Sequence, residues 1–322
     1  MPISIIIPTY NPGEQAVYAM CDVLARQTEA FEQLVIIDSS SPDGTANVWE
    51  NAWQQAATKH EHSATLYLES IPQASFNHGG TRNLAAQRAT GEVLVFLTQD
   101  ALPKDDQWLA ELTRPLTQAS EVAVAATYAR QIAPEEVSVL EHFARSFNYP
   151  DTSRTKTWND LPNLGIKTFF LSNVSSAFLR APFEEVGGFP ERTILNEDML
   201  ITASLLKAGY AARYVAEAAV WHGHTYSVSA QFKRYFDIGV SITQADMLPT
   251  DLASSGEGLR FVRGQLAFVW QKIGVRGLLG PLPRVIVESA AKWLGFQLGQ
   301  AEAVLPVNLK RRLSMHVSFW LV

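Results

Sequence analysis

Short apolar runs alternate with helix-like stretches through the first hundred residues, and that order constrains the fold more than any other feature of the chain. Ile3 to Pro8, Leu34 to Ile37, Thr65 to Leu68 and Val93 to Leu97 are dominated by isoleucine, valine and leucine, with little polar alternation. Runs of this kind read as parallel strands buried on both faces. Between them, Gln15 to Gln27, Ala46 to Thr58 and Gly79 to Ala89 carry apolar residues at helical spacing, the second following the turn Ser41-Pro42-Asp43-Gly44. Such βαβ order requires right-handed crossovers, so it predicts an α/β fold with a mostly parallel central sheet and helices on both faces.

After Asp100 the pattern loosens. Asp106 to Leu116 reads as a helix, Val122 to Tyr128 as a strand and Glu135 to Phe147 as a helix. Pro150 to Asn163 is polar and aperiodic, a candidate mobile loop. Thr168 to Leu171 and Ser176 to Leu179 read as strands, Gly187-Gly188 as a turn, Glu197 to Ala208 as a helix closed by Gly209, and Ala211 to Val220 as the last strand region. The expected division is one domain over residues 1–250 and a basic, amphipathic helical extension over 251–322.

The 322 residues are 47% hydrophobic, enough for a large core, and the net charge of −6 argues against a nucleic-acid binder. That charge is split: from Gly256 to Val322 nine Lys or Arg face three Glu, a local balance of +6 against −12 upstream. Trp270, Trp293, Phe296 and Trp320 are interleaved with those cations, a composition suited either to a helical cap or to a cap that also lies on an anionic bilayer face. No run of about 18 uncharged apolar residues exists to span a membrane, and Met1 to Pro8 lacks the basic and apolar regions of a signal peptide. A lone Cys21 has no disulfide or metal-pair partner and reads as a buried packing residue. A cytoplasmic protein, peripheral on the inner membrane face, is the expectation.

In an open parallel sheet, ligands bind beyond the carboxyl ends of the strands. The first strand ends in Pro8-Thr9-Tyr10-Asn11, the second in Asp38-Ser39-Ser40 and the fourth in Thr98-Gln99-Asp100. Asp38 has the chemistry to accept the imide N–H of a uracil or thymine ring, with Thr9 and Ser40 adding contacts to base and ribose; an Asp before Ser-Pro-Asp-Gly also caps turns. Asp100 ends an otherwise apolar strand, where a carboxylate either holds a hard cation against a diphosphate or caps the next helix. In Asn77-His78-Gly79-Gly80-Thr81-Arg82 the glycines offer backbone N–H groups to a phosphate and Arg82 a charge. Neither a Gly-x-Gly-x-x-Gly nor a P-loop motif occurs. Asn196 is a predicted N-cap, and Glu197 and Asp198 fall in a first helical turn whose dipole favours ionised carboxylates, as a general base requires. His222 and His224 share a strand face at a spacing open to metal ligation.

Taken in order, these motifs resemble the inverting family-2 glycosyltransferases of the Rossmann-like GT-A fold, and within them the bacterial dTDP-rhamnosyltransferases of surface polysaccharides. The likeness is carried by Ile5-Ile6-Ile7-Pro8-Thr9-Tyr10-Asn11, Ile37-Asp38-Ser39-Ser40, Asn77-His78-Gly79-Gly80-Thr81-Arg82-Asn83, Phe96-Leu97-Thr98-Gln99-Asp100 and Leu171-Ser172-Asn173-Val174. It continues through Arg145-Ser146-Phe147-Asn148-Tyr149-Pro150, Asn196-Glu197-Asp198-Met199, His222-Gly223-His224, Phe232 to Gly239 and Ser314-Met315-His316. The resemblance implies a nucleotide-binding half (1–100) and an acceptor-binding half (101–250). Pro8, Thr9, Tyr10, Asp38, Ser40, His78, Gly79, Arg82, Gln99 and Asp100 would bind a dTDP-sugar, and Asn173, Glu197 and Asp198 a glycan acceptor on a polyprenyl diphosphate. Asp198 would be the catalytic base, and Asp100 with His222 or His224 would bind Mg²⁺ or Mn²⁺. Two departures stand out: the family's usual Asp-x-Asp is Thr98-Gln99-Asp100 here, and its more frequent His-Ser-His is His222-Gly223-His224. A sugar-nucleotide pyrophosphorylase is disfavoured by the acidic Thr9-Tyr10-Asn11-Pro12-Gly13-Glu14 after the first strand. A catalytically silent binding module on the same fold is disfavoured by retention of both Asp100 and Asp198.

Overall fold

Ile5, Ile6 and Ile7 are all fully buried, so helices must cover both faces of the strand they form. The computed structural model describes residues 1–42, 44–245, 255–278 and 282–321. Asp43 of the expected turn, the expected boundary at 250–251 and Leu279 lie outside the described residues. The chain opens as β1 (Ile3–Thr9), α1 (Glu14–Ala25), β2 (Gln33–Asp38), α2 (Thr45–His60), β3 (Thr65–Ser70), α3 (His78–Arg88) and β4 (Val93–Leu97). β1 pairs in parallel with β2 and β4, and β2 in parallel with β3. β3 departs from the expectation of burial: it is the sheet's edge strand, half-exposed along its length.

The chain continues through β5 (Leu102–Pro103), α4 (Trp108–Thr117), β6 (Val124–Ile132), α5 (Val139–Asn148), β7 (Arg154–Lys156), α6 (Leu161–Leu164), β8 (Ser175–Leu179), α7 (Arg180–Glu185), α8 (Glu197–Lys207) and β9 (Ala211–Trp221). Among the described residues the strand order is β3-β2-β1-β4-β8-β6-β9-β5, with β7 also paired to β9. β6 and β9 run with β1 to β4, whereas β8, β5 and β7 run against them. Two expectations fail between β7 and β8. The stretch from Pro150 to Asn163 is ordered rather than loose, holding β7, a capping box between Thr157 and Asp160, and α6. Thr168 to Leu171 is not a strand, because a 3-10 turn occupies Gly165–Phe169. The cause is Lys156, whose buried amine needs acceptors and takes the carbonyls of Lys167 and Phe170, curling that segment around itself.

The chain divides into two compact units, one comprising Met1–Ile132, Tyr149–Glu191 and Glu197–His222, the other Ala133–Asn148, Arg192–Asn196 and Gly223–Val322. In the first, one sheet face carries Ile5, Ile7, Leu34, Ile36 and Val95, packed with Cys21, Leu24, Trp49 and Trp53; Cys21 is buried as expected. On the other face Phe96, Phe178, Phe183 and Phe189 interlock with ring centroids 5.1–6.1 Å apart. Each such ring contributes about 1.5–3 kcal/mol through burial.

The second unit contains α9 (Val228–Gln244), α10 (Ser255–Leu278), α11 (Leu282–Gln300) and α12 (Val307–Leu313). α9 and α11 meet at backbone distance: a Cβ on Gly295 or Gly299 would lie 2.3 or 2.1 Å from the carbonyl oxygens of Phe232 and Phe236. Asp237 on α9 is buried and accepts the Met315 N–H at 2.8 Å, so the motif around Asp237 and the terminal Ser314-Met315-His316 form one contact. No helix among the described residues is long and apolar enough to cross a membrane.

Candidate active site

The parallel register aligns Thr9 with Asp38 at the carboxyl ends of β1 and β2. The buried Asp38 carboxylate accepts the Ser41 hydroxyl and, at 3.1 Å, the Ser41 N–H, so it caps the turn after β2. The turn carries strain, since Ser40 takes φ +56° and its hydroxyl donates to the Ile71 carbonyl at 2.7 Å. Gln99 closes the other side of the β1 tip. Its Oε1 accepts from the Thr9 hydroxyl (2.8 Å) and the Tyr10 N–H (2.7 Å), while its Nε2 donates to the Tyr10 carbonyl (2.9 Å). Only an amide both accepts and donates in this way. A carboxylate here would face the Tyr10 carbonyl unpaired.

The loop before α3 behaves differently from its reading as a phosphate cradle. The N–H groups of Gly79 and Gly80 both donate to Asn77 Oδ1 at 2.9 Å, capping the helix. Gly79 is required by packing, because a Cβ there would lie 2.3 Å from the Pro190 carbonyl oxygen. His78 begins α3 and stacks edge-on against Phe76. Arg82 is buried rather than presented to a ligand, donating to the His78 carbonyl (2.8 Å) and forming an ion pair with Glu197 (3.2 Å).

Glu197 and Asp198 open α8, preceded by Asn196 at φ +63°, which is not the extended backbone of the expected N-cap. Asn173 organises both acids: its N–H donates to Asp198 Oδ2 and its Nδ2 to Glu197 Oε1, each at 3.2 Å, while its Oδ1 accepts the Ser176 hydroxyl at 2.9 Å. Asn173, expected as an acceptor contact, is thus a hub for the acid pair. The two carboxyls are driven apart. Burial raises Glu197, but Arg82, His78 and the Asn173 bond outweigh it and hold the group below the usual carboxylate range. Burial and then the neighbouring Glu197 charge push Asp198 up to about 7, against the N–H groups of Asn173 and Met199. The helix dipole therefore does not keep Asp198 as acidic as its position alone suggests.

Asp100 follows the β4 tip, and its Oδ1 lies 3.7 Å from His222 Nε2 just past β9. The His222 backbone N–H donates to the Ile132 carbonyl at 2.9 Å, and its Nδ1 bonds Gln131 Oε1 at 2.9 Å. Gln131 Nε2 donates to Tyr149 Oη (2.7 Å) and Ser172 Oγ (3.0 Å). One short segment gathers everything: Ser172 holds Gln131, Asn173 holds Glu197 and Asp198, and the Val174 carbonyl accepts the Thr98 N–H at 3.0 Å, two residues before Asp100. The metal-type pair and the acid pair thus share one backbone anchor. His224 belongs to the second unit, whose last segment begins at Gly223, and its Cα is within about 7 Å of that of His222 by chain connectivity alone. Gln131 was not singled out from the sequence; it is a buried polar residue near the end of β6, a strand that also carries Thr127 and Arg130.

A mostly parallel sheet whose strand tips carry Asp38 and Asp100, with residues 172–174 tying the β4 tip to the carboxylates of Glu197 and Asp198, is the architecture of a sugar-nucleotide glycosyltransferase of the GT-A type. Comparison with known proteins agrees. The signature of glycosyl transferase family 2 matches residues 4–187, and the chain belongs to that family. It is 38% identical to the O-antigen chain rhamnosyltransferase WbaN of Salmonella anatum, over 98% of this chain and 95% of the relative. It is 37% identical to RfbN of Salmonella typhimurium strain LT2, also an O-antigen chain rhamnosyltransferase, over 99% and 96%. In fold it is similar to the mannosyltransferase PcManGT from Pyrobaculum calidifontis in complex with GDP-Man and Mn²⁺ (TM-score 0.59, 18% identity, 94% of this chain and 85% of that one). It is also similar to Staphylococcus aureus TarS residues 1–349 in complex with UDP-GlcNAc (TM-score 0.53, 18% identity, 94% and 91%).

Proposed function

We propose that the chain transfers L-rhamnose from dTDP-β-L-rhamnose, with inversion, onto a sugar hydroxyl of a growing lipid-linked surface glycan. The donor and acceptor classes rest on the full-length likeness to O-antigen chain rhamnosyltransferases. The mechanism rests on the acid pair that Asn173 holds together, in which burial and the Glu197 charge push Asp198 up to about 7. A base with that proton affinity is matched to deprotonating an alcohol near neutral pH. Asp198 accepts the acceptor hydroxyl proton as that oxygen attacks the anomeric carbon, and dTDP departs from the opposite face. Residues 1–100 serve the nucleotide half, with Asp38 on the thymine imide and Pro8, Thr9, Tyr10 and Ser40 around base and ribose; residues 101–250 serve the acceptor half. The direct test is transfer from dTDP-rhamnose against a panel of UDP-, GDP- and CDP-sugars, alongside thermal protection by each. Protection by another nucleotide sugar in preference to dTDP-rhamnose contradicts the donor assignment.

The donor set suits a divalent cation. Gln131 Oε1 faces His222 Nδ1, which turns Nε2 toward Asp100 Oδ1 at 3.7 Å, and a carboxylate beside an imidazole is a ligand set such a cation takes. Asp100 and His222 would hold Mg²⁺ or Mn²⁺, with His224 in reach, and the imidazole favours Mn²⁺. When bound, the ion neutralises charge on the departing diphosphate. Exhaustive EDTA treatment is expected to abolish transfer, with Mn²⁺ restoring it better than Mg²⁺; full activity after chelation removes Asp100 and His222 from this role.

For the membrane-bound acceptor, α11 supplies a surface. Between residues 286 and 298 its exposed positions are Ile286, Val287, Ala290, Trp293, Leu294, Gln297 and Leu298, three turns without a charge, and Trp293 is 63% exposed. The same unit exposes Arg263, Lys272 and Arg312, cations suited to anionic headgroups at the cytoplasmic face of the inner membrane. A second copy docked on the same face by two-fold symmetry would bring those like charges together. In Lys310-Arg311-Arg312, Lys310 pairs with Glu302 and Arg311 donates to the Trp320 carbonyl, which makes α11 the better target than that basic run. The wild-type protein is expected to float with anionic liposomes at low salt and Trp293→Glu/Leu294→Glu to lose at least tenfold in binding; absence of wild-type flotation refutes the surface.

A further inference from the structure

We infer that Gln131 is a positioning residue for the metal ligand His222, holding its imidazole through Nδ1 so that Nε2 is turned to Asp100. The inference rests on the metal reading above and extends it to a residue that touches neither substrate nor ion. Gln131 is buried on β6, one residue before the strand's end, where the register aligns it with Val220, two residues ahead of His222. Its two amide protons go to Tyr149 Oη and Ser172 Oγ, which leaves Oε1 to face His222 Nδ1 at 2.9 Å. An amide carbonyl is an acceptor only, so the bond is donated by His222 Nδ1–H. The backbone bond from His222 to Ile132 fixes the residue's position, and the Gln131 bond fixes its ring.

This is the outer-shell support that metal-binding histidines generally receive, and loss of such a partner typically weakens metal binding 10–100-fold. Ser172 sits beside Asn173, so Gln131 also links the ring's orientation to the segment that anchors the acid pair.

Two substitutions separate positioning from bulk packing. Gln131→Met keeps the volume but removes the acceptor. Gln131→Glu keeps an acceptor for Nδ1–H, and both hydroxyls can donate to its second oxygen. A purely structural role predicts the reverse ranking, because a buried charge is harder to accommodate than a thioether. The measurement is Mn²⁺ affinity of the full chain in the presence of dTDP, read from the EPR signal of free Mn²⁺. Ring-nitrogen NMR of the metal-free protein provides a second readout. Expected are a 10–100-fold weaker affinity in Gln131→Met, near-wild-type affinity in Gln131→Glu, and a protonated Nδ1 on His222 in the wild type. Wild-type affinity in Gln131→Met, a collapse of affinity in Gln131→Glu, or an unprotonated Nδ1 in the wild type each overturns the inference while leaving the metal reading intact. Failure of the wild type to bind Mn²⁺, or unchanged binding in His222→Ala, removes the metal reading and this inference with it.

Discussion

Asp198→Asn will lower turnover by at least ~10²–10⁴-fold, the range a general base supplies, while dTDP binding is retained. The amide keeps the shape of the side chain and an oxygen for one of the two N–H groups, those of Asn173 and Met199, that the carboxylate's separate oxygens accept, so the fold loses one hydrogen bond. The pH profile carries the same assignment. Burial and the Glu197 charge raise Asp198 to about 7, so kcat/KM should climb about tenfold per pH unit below that point and level off above it. Stability runs the other way. A carboxyl whose folded pKa is raised binds its proton more tightly in the folded state. Its stabilising contribution is therefore complete below the unfolded value near 4 and is lost as pH rises through about 7. Asp198→Asn should remove that pH dependence. Near-normal transfer by this variant would eliminate Asp198 as the base.

Arg82→Met is the second large effect, and it acts mainly on stability. Arg82 and Glu197 are both over nine-tenths buried and 3.2 Å apart, so deleting the cation strands a carboxylate in the interior at a cost of ~3–5 kcal/mol. Urea unfolding at pH 7.5 should show this as a lower midpoint with an unchanged slope, and acidification should narrow the deficit as Glu197 takes up a proton. Arg82→Met combined with Glu197→Leu should recover most of the loss, since replacing a whole buried pair is often neutral. A single substitution that leaves the midpoint unmoved would mean the pair contributes nothing. Arg82 was expected to supply charge to a diphosphate, and the double variant separates the two roles because a diphosphate ligand is not rescued by removing Glu197.

The reach of the sequence differs from site to site. β1, β2 and β4 were legible because strands covered on both faces must be apolar throughout, and Ile5, Ile36 and Val95 advertise it. β3 carried the same kind of run yet proved to be an edge, since apolar content reports strand propensity and not how many neighbours a strand finds. The turn at Gly165–Phe169 was invisible because its cause, the Lys156 amine, lies nine or more residues away. The glycines before α3 looked like a phosphate cradle; Asn77 and Pro190 show that helix capping and close packing ask for the same residue types.

By itself, the order of residues determined the sheet's alternation, the acids at the tips of β2 and β4, and the carboxylates opening α8, because each depends on local chemistry or on a period of two or 3.6. What only tertiary structure decided is which of those groups act on one another. Residues 172–174 join Asp198, Gln131 and the β4 tip, Glu197 takes Arg82 from solvent, and the charge of Glu197 then sets the proton affinity of Asp198. Coulombic and hydrogen-bond energies depend on distance through space, and distance along the chain does not report it.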